Sequence, residues 1–199
     1  MKSEIIQQGA EAIIKLKDNK IIKDRIAKGY RLPILDKKLR KQRTKREAKI
    51  LEKASVLIPV PKIKEVEKNK LQLEYIKGKK LSDHLDKLSN KNKIIQQAGE
   101  QTSILHDNNI IHGDLTTSNM ILANNNKLYF IDFGLSFIST RIEDKACDLH
   151  LIKQALEAKH YQFYENLFKA FLKGYKKSEN YKKTIKQLEK VEKRGRYKH

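Results

Sequence analysis

Apolar and polar residues change period several times along this chain. Apolar residues fall in short runs over 4–7, 12–16 and 21–23, separated by Gln8-Gly9-Ala10-Glu11 and by Asp18-Asn19. Short runs between turn residues predict a β-meander. The spacing then becomes helical. Leu35, Leu39, Arg46, Ile50, Leu51 and Ala54 share one face of a long basic helix over about 35–55, and Pro33 delays its start. Strand-like alternation returns over 60–66 and 71–75, with a turn at Ile76-Lys77-Gly78. A short helix over 81–88 and a longer one over 91–106 follow, the latter facing a core with Ile95, Ala98, Thr102 and Leu105. Apolar runs at 109–111, 120–123 and 128–131, with Asn124-Asn125-Asn126 as a turn, predict a second set of strands. Helices near 145–157, 159–175 and 180–192 end the pattern, and residues 193–199 form a flexible basic tail. The expected fold is α+β: an antiparallel-sheet N-terminal lobe with one long helix over about 1–76, and a reduced, mostly helical C-terminal lobe over about 77–192.

Composition adds charge to this outline. The chain has 199 residues, enough for one domain of two small lobes, with 44 Lys plus Arg against 24 Asp plus Glu, or +20. That balance suits a polyanionic partner such as nucleic acid, and equally a Lys-rich solvated surface. The single cysteine, Cys147, excludes an internal disulfide and reads as a core residue. No apolar stretch approaches a signal peptide or a bilayer span, so the expectation is a cytoplasmic protein with no membrane partner.

Chemistry concentrates in two segments. Ile111-His112-Gly113-Asp114-Leu115-Thr116-Thr117-Ser118-Asn119 carries a His-x-Asp-x-x-x-x-Asn loop, and Asp132-Phe133-Gly134 follows. In this order, with two apolar strands between them, they point to a bilobal protein-kinase-like site that uses ATP and Mg²⁺. A hairpin between the motifs brings Asp132 back beside Asn119. Asp114 then accepts or orients the proton of an attacking hydroxyl or water. Asn119 and Asp132 supply the oxygen ligands that Mg²⁺ prefers. His112 is expected to be structural.

The rest of an ATP site can be assigned on the same outline. Lys23 ends the third strand of the meander and is the candidate phosphate lysine, with Glu47 as its helical partner and Glu52 as the alternative. Glu74 and Ile76 present backbone groups to adenine. Gly9, Ala10 and Glu11 cover the phosphates, although only one glycine of the usual Gly-x-Gly-x-x-Gly is present and Glu11 has no evident role there. Asp148 is a candidate acceptor for the loop backbone from beneath. Residues 136–143 replace an activation segment, and Gly113 stands where most kinases carry Arg. Phospho-activation is therefore not expected, and a partner protein is expected to set the Lys23–Glu47 pair.

These residues together resemble a known family. Lys23-Asp24-Arg25-Ile26-Ala27-Lys28-Gly29-Tyr30-Arg31, Arg43-Thr44-Lys45-Arg46-Glu47-Ala48, the two motifs, Asp144-Lys145-Ala146-Cys147-Asp148-Leu149 and Arg194-Gly195-Arg196 are similar to the small atypical kinases of the KEOPS (EKC) complex, the PRPK family. The resemblance spans nearly the whole chain. It implies an ATP-dependent serine/threonine kinase and ATPase with Asp114 as acid/base, Lys23 on phosphate, and Asn119 with Asp132 on Mg²⁺. It implies as partners the tRNA threonylcarbamoyl transferase subunit, the other KEOPS subunits and tRNA, the last contacted through Arg194, Arg196 and Lys198. Two alternatives stay open on the residues: a small-molecule phosphotransferase of the aminoglycoside or choline kinase type, and a non-catalytic scaffold.

Overall fold

The computed structural model describes residues 4–196, with side chains up to Arg194. Strands β1 (Glu4–Gln8), β2 (Ala12–Lys17) and β3 (Lys20–Arg25) form the expected meander. Strands β4 (Ile63–Val66) and β5 (Lys70–Glu74) complete an antiparallel sheet of order β1-β2-β3-β5-β4. In β3 the pleat sends Lys23 and Arg25 to the same covered face, where both are buried. Helix α1 (Pro33–Ser55) packs on that face.

Helix α1 departs from its predicted start and from part of its predicted face: Ile50, Leu51 and Ala54 are buried as expected and Leu39 is half-buried. Pro33 occupies the first helical position, where its missing N–H leaves no bond unmade, so the helix begins at the proline. Leu35 and Arg46 are exposed, and the buried stripe runs through Asp36, Thr44, Glu47, Ala48, Ile50, Leu51 and Ala54. The polar half of that stripe is satisfied partly by residues outside the helix and partly by Arg40 one turn along it. Asp36 takes the Lys28 amide at 3.2 Å and Arg40 Nε at 2.6 Å, and Arg25 reaches Glu47 at 2.5 Å. Apolar periodicity does not register buried polar residues, so the N-terminal half of the face differs while its C-terminal half is as expected.

The second half begins with β6 (Gly78–Lys80), α2 (Leu81–His84) and a 3₁₀ turn over Leu85–Lys87. Helix α3 (Lys91–Asp107) buries Ile95, Ala98, Thr102 and Leu105 as expected. It crosses α5 (Tyr164–Tyr175) closely, because a Cβ at Gly99 would lie 2.0 Å from the Phe171 carbonyl oxygen. Strands β7 (Ile110–Ile111), β8 (Met120–Ala123), β9 (Leu128–Phe130) and β10 (Phe137–Ile138) form two small sheets, β10-β7 and β6-β8-β9. Helices α4 (Ile142–Lys159) and α6 (Tyr181–Arg196) close the fold.

Two further expectations change. Cys147 is exposed, because α4 turns its neighbours Asp148 and Leu149 inward. The helix called 180–192 continues through 193–196, part of the expected flexible tail, and Arg194 pairs with Glu143 at 2.6 Å. The Arg196 side chain and all of Lys198 lie outside the described residues. No helix among the described residues is long and apolar enough to cross a membrane.

Tyr175 is fully buried in the helical core, and its hydroxyl meets His106 Nδ1 at 2.9 Å. Burial pushes its phenol up to about 12. A folded-state value above the unfolded one gives stability that is intact below pH ~10 and is lost as pH rises from ~10 towards ~12, roughly 2–3 kcal/mol in all. Tyr175→Phe is expected to lack this alkaline component, and to be about 1–3 kcal/mol less stable at neutral pH because His106 loses a partner. Urea midpoints of the two proteins measured from pH 7 to 12 should therefore converge. Parallel curves would count against the buried phenol.

Candidate active site

A cavity of about 530 Å³ opens between the five-stranded sheet and the catalytic loop. Ile14, Ile21 and Leu73 from the sheet and Ile121 and Ile131 from below form apolar walls. One end holds Lys23, Glu47, Asp114, Asn119 and Asp132, and Glu74, Tyr75 and Ile76 line the strand that joins the two halves. An apolar slot with a few converging polar groups is the general form of a small-molecule site. A larger groove of about 1140 Å³ lies behind α1 and contains none of these ionisable groups except Glu74.

The polar end is built on Lys23. Its ammonium contacts Glu47 Oε1 at 2.7 Å and Asp132 Oδ1 at 2.6 Å. Burial alone would lower the lysine's pKa, but the two carboxylates outweigh it and hold it above the ordinary value. Glu47 also takes Arg25, so one buried carboxylate faces two cations. Glu52, the alternative partner, is exposed. The Lys23–Glu47 pair is formed in this structure. An ammonium has three donors, which leaves one for a third acceptor at the cavity.

Asp132 adopts a left-handed backbone, φ 60°, and Oδ1 accepts from the Gly134 amide at 3.1 Å. Such strain is costly for a non-glycine residue and clusters at functional sites. Burial works to raise its carboxyl, yet Lys23 prevails and holds it below the ordinary carboxylate range. Asn119 donates its amide to the Asp114 carbonyl oxygen at 2.9 Å and to Asp114 Oδ2 at 2.8 Å. With Nδ2 so used, the Asn119 side-chain oxygen remains an acceptor. Among the described residues no three His, Cys, Asp or Glu side chains converge as a metal cluster. One carboxylate and one amide oxygen still suit Mg²⁺, which takes few protein ligands and completes its shell with phosphate and water.

The catalytic loop is held from below. The His112 amide donates to Asp148 Oδ2 at 2.7 Å and the Gly113 amide to Oδ1 at 2.8 Å. His106 Nε2 meets the same carboxylate at 3.2 Å. The support expected of Asp148 is present, and its side chain is buried. His112 is buried against Phe133, with Nε2 3.2 Å from the Ile131 carbonyl and Nδ1 3.3 Å from the Asp114 amide. These partners make Nε2 the donor and Nδ1 the acceptor, and burial keeps the ring neutral by lowering its pKa. Gly113 has φ 76°, and a Cβ there would lie 2.5 Å from the Leu135 carbonyl oxygen. The missing Arg therefore has a steric cause, because only glycine fits beside the Asp-Phe-Gly turn.

Three features escaped the sequence. Arg25, the second cation on Glu47, sits two residues beyond Lys23 on one strand face, a signal that period-2 reasoning offered. His160 bridges Asp86 at 2.7 Å and Thr117 at 3.2 Å, bracing the turn before Asn119, and no local spacing announced it. Glu11 pairs with Arg43 at 2.5 Å, which answers the question of its role. Gly9, Ala10 and Glu11 do not line the cavity. They form an exposed turn closed by the Gly9 amide on the Ala12 carbonyl at 3.0 Å, with Lys28 on the Ala10 carbonyl.

The family pattern described as "RIO domain" matches residues 14–140. The chain is 42% identical to "KEOPS complex subunit Bud32" of Pyrococcus abyssi, over 98% of this chain and 96% of that protein. It is 36% identical to "Probable serine/threonine-protein kinase BUD32 homolog" of Archaeoglobus fulgidus, over 95% and 94%. It is 35% identical to "Probable bifunctional tRNA threonylcarbamoyladenosine biosynthesis protein" of Methanosarcina mazei, over 98% of this chain but 36% of that longer protein. Among solved structures, the Rio2 kinase of Chaetomium thermophilum superposes with a TM-score of 0.64 at 14% identity, covering 97% of this chain and 70% of that one, which shows a shared fold.

Proposed function

This chain belongs to the RIO-domain family and groups with the Bud32 proteins, and on that premise we propose that it is an ATP-dependent serine/threonine kinase and ATPase acting as a subunit of a KEOPS complex. Its service there is to threonylcarbamoyl-adenosine formation on tRNA through the transferase subunit, a reading supported by the relative that carries the biosynthetic name over a longer chain. The observation that carries the proposal is Lys23 held between Glu47 and Asp132 on the wall of an apolar cavity that Asp114 and Asn119 also line. A cytoplasmic setting goes with this role.

In this reading adenine lies between Ile14, Ile21 and Ile131 and pairs with backbone groups of Glu74 and Ile76. The free donor of Lys23 takes a phosphate oxygen. Asn119 and Asp132 hold Mg²⁺, which neutralises charge on the phosphates when bound. Asp114 accepts the proton of the attacking serine, threonine or water oxygen, oriented by the Asn119 amide on its Oδ2. We place the lobe boundary near Ile76. Gly9, Ala10 and Glu11 reach phosphate only if their turn closes over it, and Arg194 reaches tRNA only after leaving Glu143. Arg196 and Lys198 are assigned to the same tRNA contact. The small-molecule alternative lacks support among the relatives.

The test uses γ-labelled ATP with the chain alone, with the purified transferase subunit, and with choline or an aminoglycoside. Label on the protein or free phosphate, rising with the transferase subunit, is the expected result. Label on the small alcohol, or no turnover in any mixture, would reject the reading.

A further inference from the structure

The outer face of α1 carries a charge pattern that the ATP site does not use. The helix holds nine lysines and arginines against three acids, a net of +6 from the chain's +20. Lys37, Lys41, Lys45, Lys49 and Lys53 recur at every fourth position, and all five are exposed, as are Lys38 and Arg46 beside them. The basic residues of α1 that form ion pairs are Arg40 and Arg43, both on its flanks. None of the five lysines forms an ion pair or hydrogen bond among the described residues. Two of the helix's three acids, Asp36 and Glu47, are buried on the opposite side, which leaves Glu52 as its exposed acid.

Like charges at this spacing repel one another and weaken a helix. A solvated surface is served as well by alternating signs, so five consecutive repeats of one sign need a counter-charge. Their geometry says which. A four-residue step along a helix rises about 6 Å. One strand of B-form DNA offers a phosphate about every 3.4 Å along its axis and an A-form RNA strand somewhat more often, so the row meets roughly every second phosphate. Positions four apart form a continuous ridge inclined to the helix axis. Along the ridge, Lys45 and Lys49 rim the larger groove, and Lys62, Lys127 and the half-buried Tyr129 line its walls. Cations beside an accessible aromatic face suit a nucleic-acid strand.

We propose that the lysine ridge of α1 is a docking surface for a nucleic-acid backbone, in this protein's setting a tRNA. The surface faces away from Lys23 and Glu47, so it binds without touching the ATP chemistry. Only the choice of tRNA rests on the function proposed above.

The test measures binding of an unmodified tRNA transcript, without ATP, against salt concentration. The variant is the triple Lys41→Gln, Lys45→Gln, Lys49→Gln. Its control is Lys169→Gln, Lys173→Gln, Lys176→Gln, which removes the same charge from exposed positions on and beside α5. The ridge variant should lose about 2–3 from the slope of log K against log salt. It should bind on the order of tenfold more weakly at low salt, and keep its ATP turnover. An unchanged slope, or a loss no larger than the control's, overturns the proposal. Loss of turnover in Asp114 variants leaves it intact, so the two readings fail separately.

Discussion

Asp114→Asn lowers ATP turnover by about 10²–10⁴-fold and leaves nucleotide affinity within about threefold of the parent. The size follows from what a positioned base supplies, roughly 10²–10⁴-fold. The substitution is isosteric, and an amide cannot accept the proton. The affinity expectation follows from geometry. Asp114 bonds Asn119 and does not touch Lys23, whose partners are Glu47 and Asp132. The cradle for phosphate is therefore intact in the variant. Single-turnover release of labelled phosphate measures the first quantity, and titration with a fluorescent ATP analogue the second. Turnover within tenfold of the parent would remove Asp114 from the chemistry and leave it a spacer for Asn119. Loss of affinity in step with turnover would mean that the substitution unfolded the loop.

The site was legible where function is written in adjacent residues, and illegible where it depends on distant ones. The loop from His112 to Asn119 and the turn at Asp132 announce themselves because a nucleotide site needs fixed residue types at fixed offsets. Lys23 and Glu47 followed from element order. Asp148 lies thirty-five positions from Gly113, yet the amides it accepts were anticipated from the loop's need for an acceptor. His106, Tyr175, Asp86 and His160 gave no such sign. Their bonds span sixty-nine and seventy-four positions, and each is an ordinary residue of its own helix or turn. Helix α1 misled for a related reason. Its inward polar residues are neutralised by Arg25 from a strand and by Arg40 one turn on, and apolar periodicity cannot register a buried charge with a remote partner. The turn at Gly9 is suggested by position alone, and it carries one glycine where a backbone that folds over phosphate needs several; in the structure it does not line the cavity.

The same remote bonds make Asp148→Ala the most damaging change to stability. The carboxylate is fully desolvated, and three donors converge on it: the amides of His112 and Gly113 and His106 Nε2. Alanine leaves all three without an acceptor in a space too closely packed to be readily hydrated. An unsatisfied buried donor costs about 1–3 kcal/mol, so a loss on the order of 3–5 kcal/mol is expected, a large part of a small domain's stability. Asn keeps one acceptor but turns an N–H towards a backbone N–H, so Asp148→Asn is expected to recover less than half of that loss. The effect on chemistry should exceed the loss of folded protein. With the two amides released, Gly113 no longer fixes the path of Asp114, and turnover per folded molecule falls as well. Equilibrium urea unfolding gives the first number, and turnover corrected for the folded fraction at low temperature gives the second. Hydrogen exchange separates cause from consequence. The amides of His112 and Gly113 should exchange faster in Asp148→Asn while the core of α3 keeps its protection. A variant that loses under 1 kcal/mol, with both amides still protected, would show that the loop is held by the Ser136 hydroxyl on the His112 carbonyl and the packing of Phe133, and that Asp148 is dispensable.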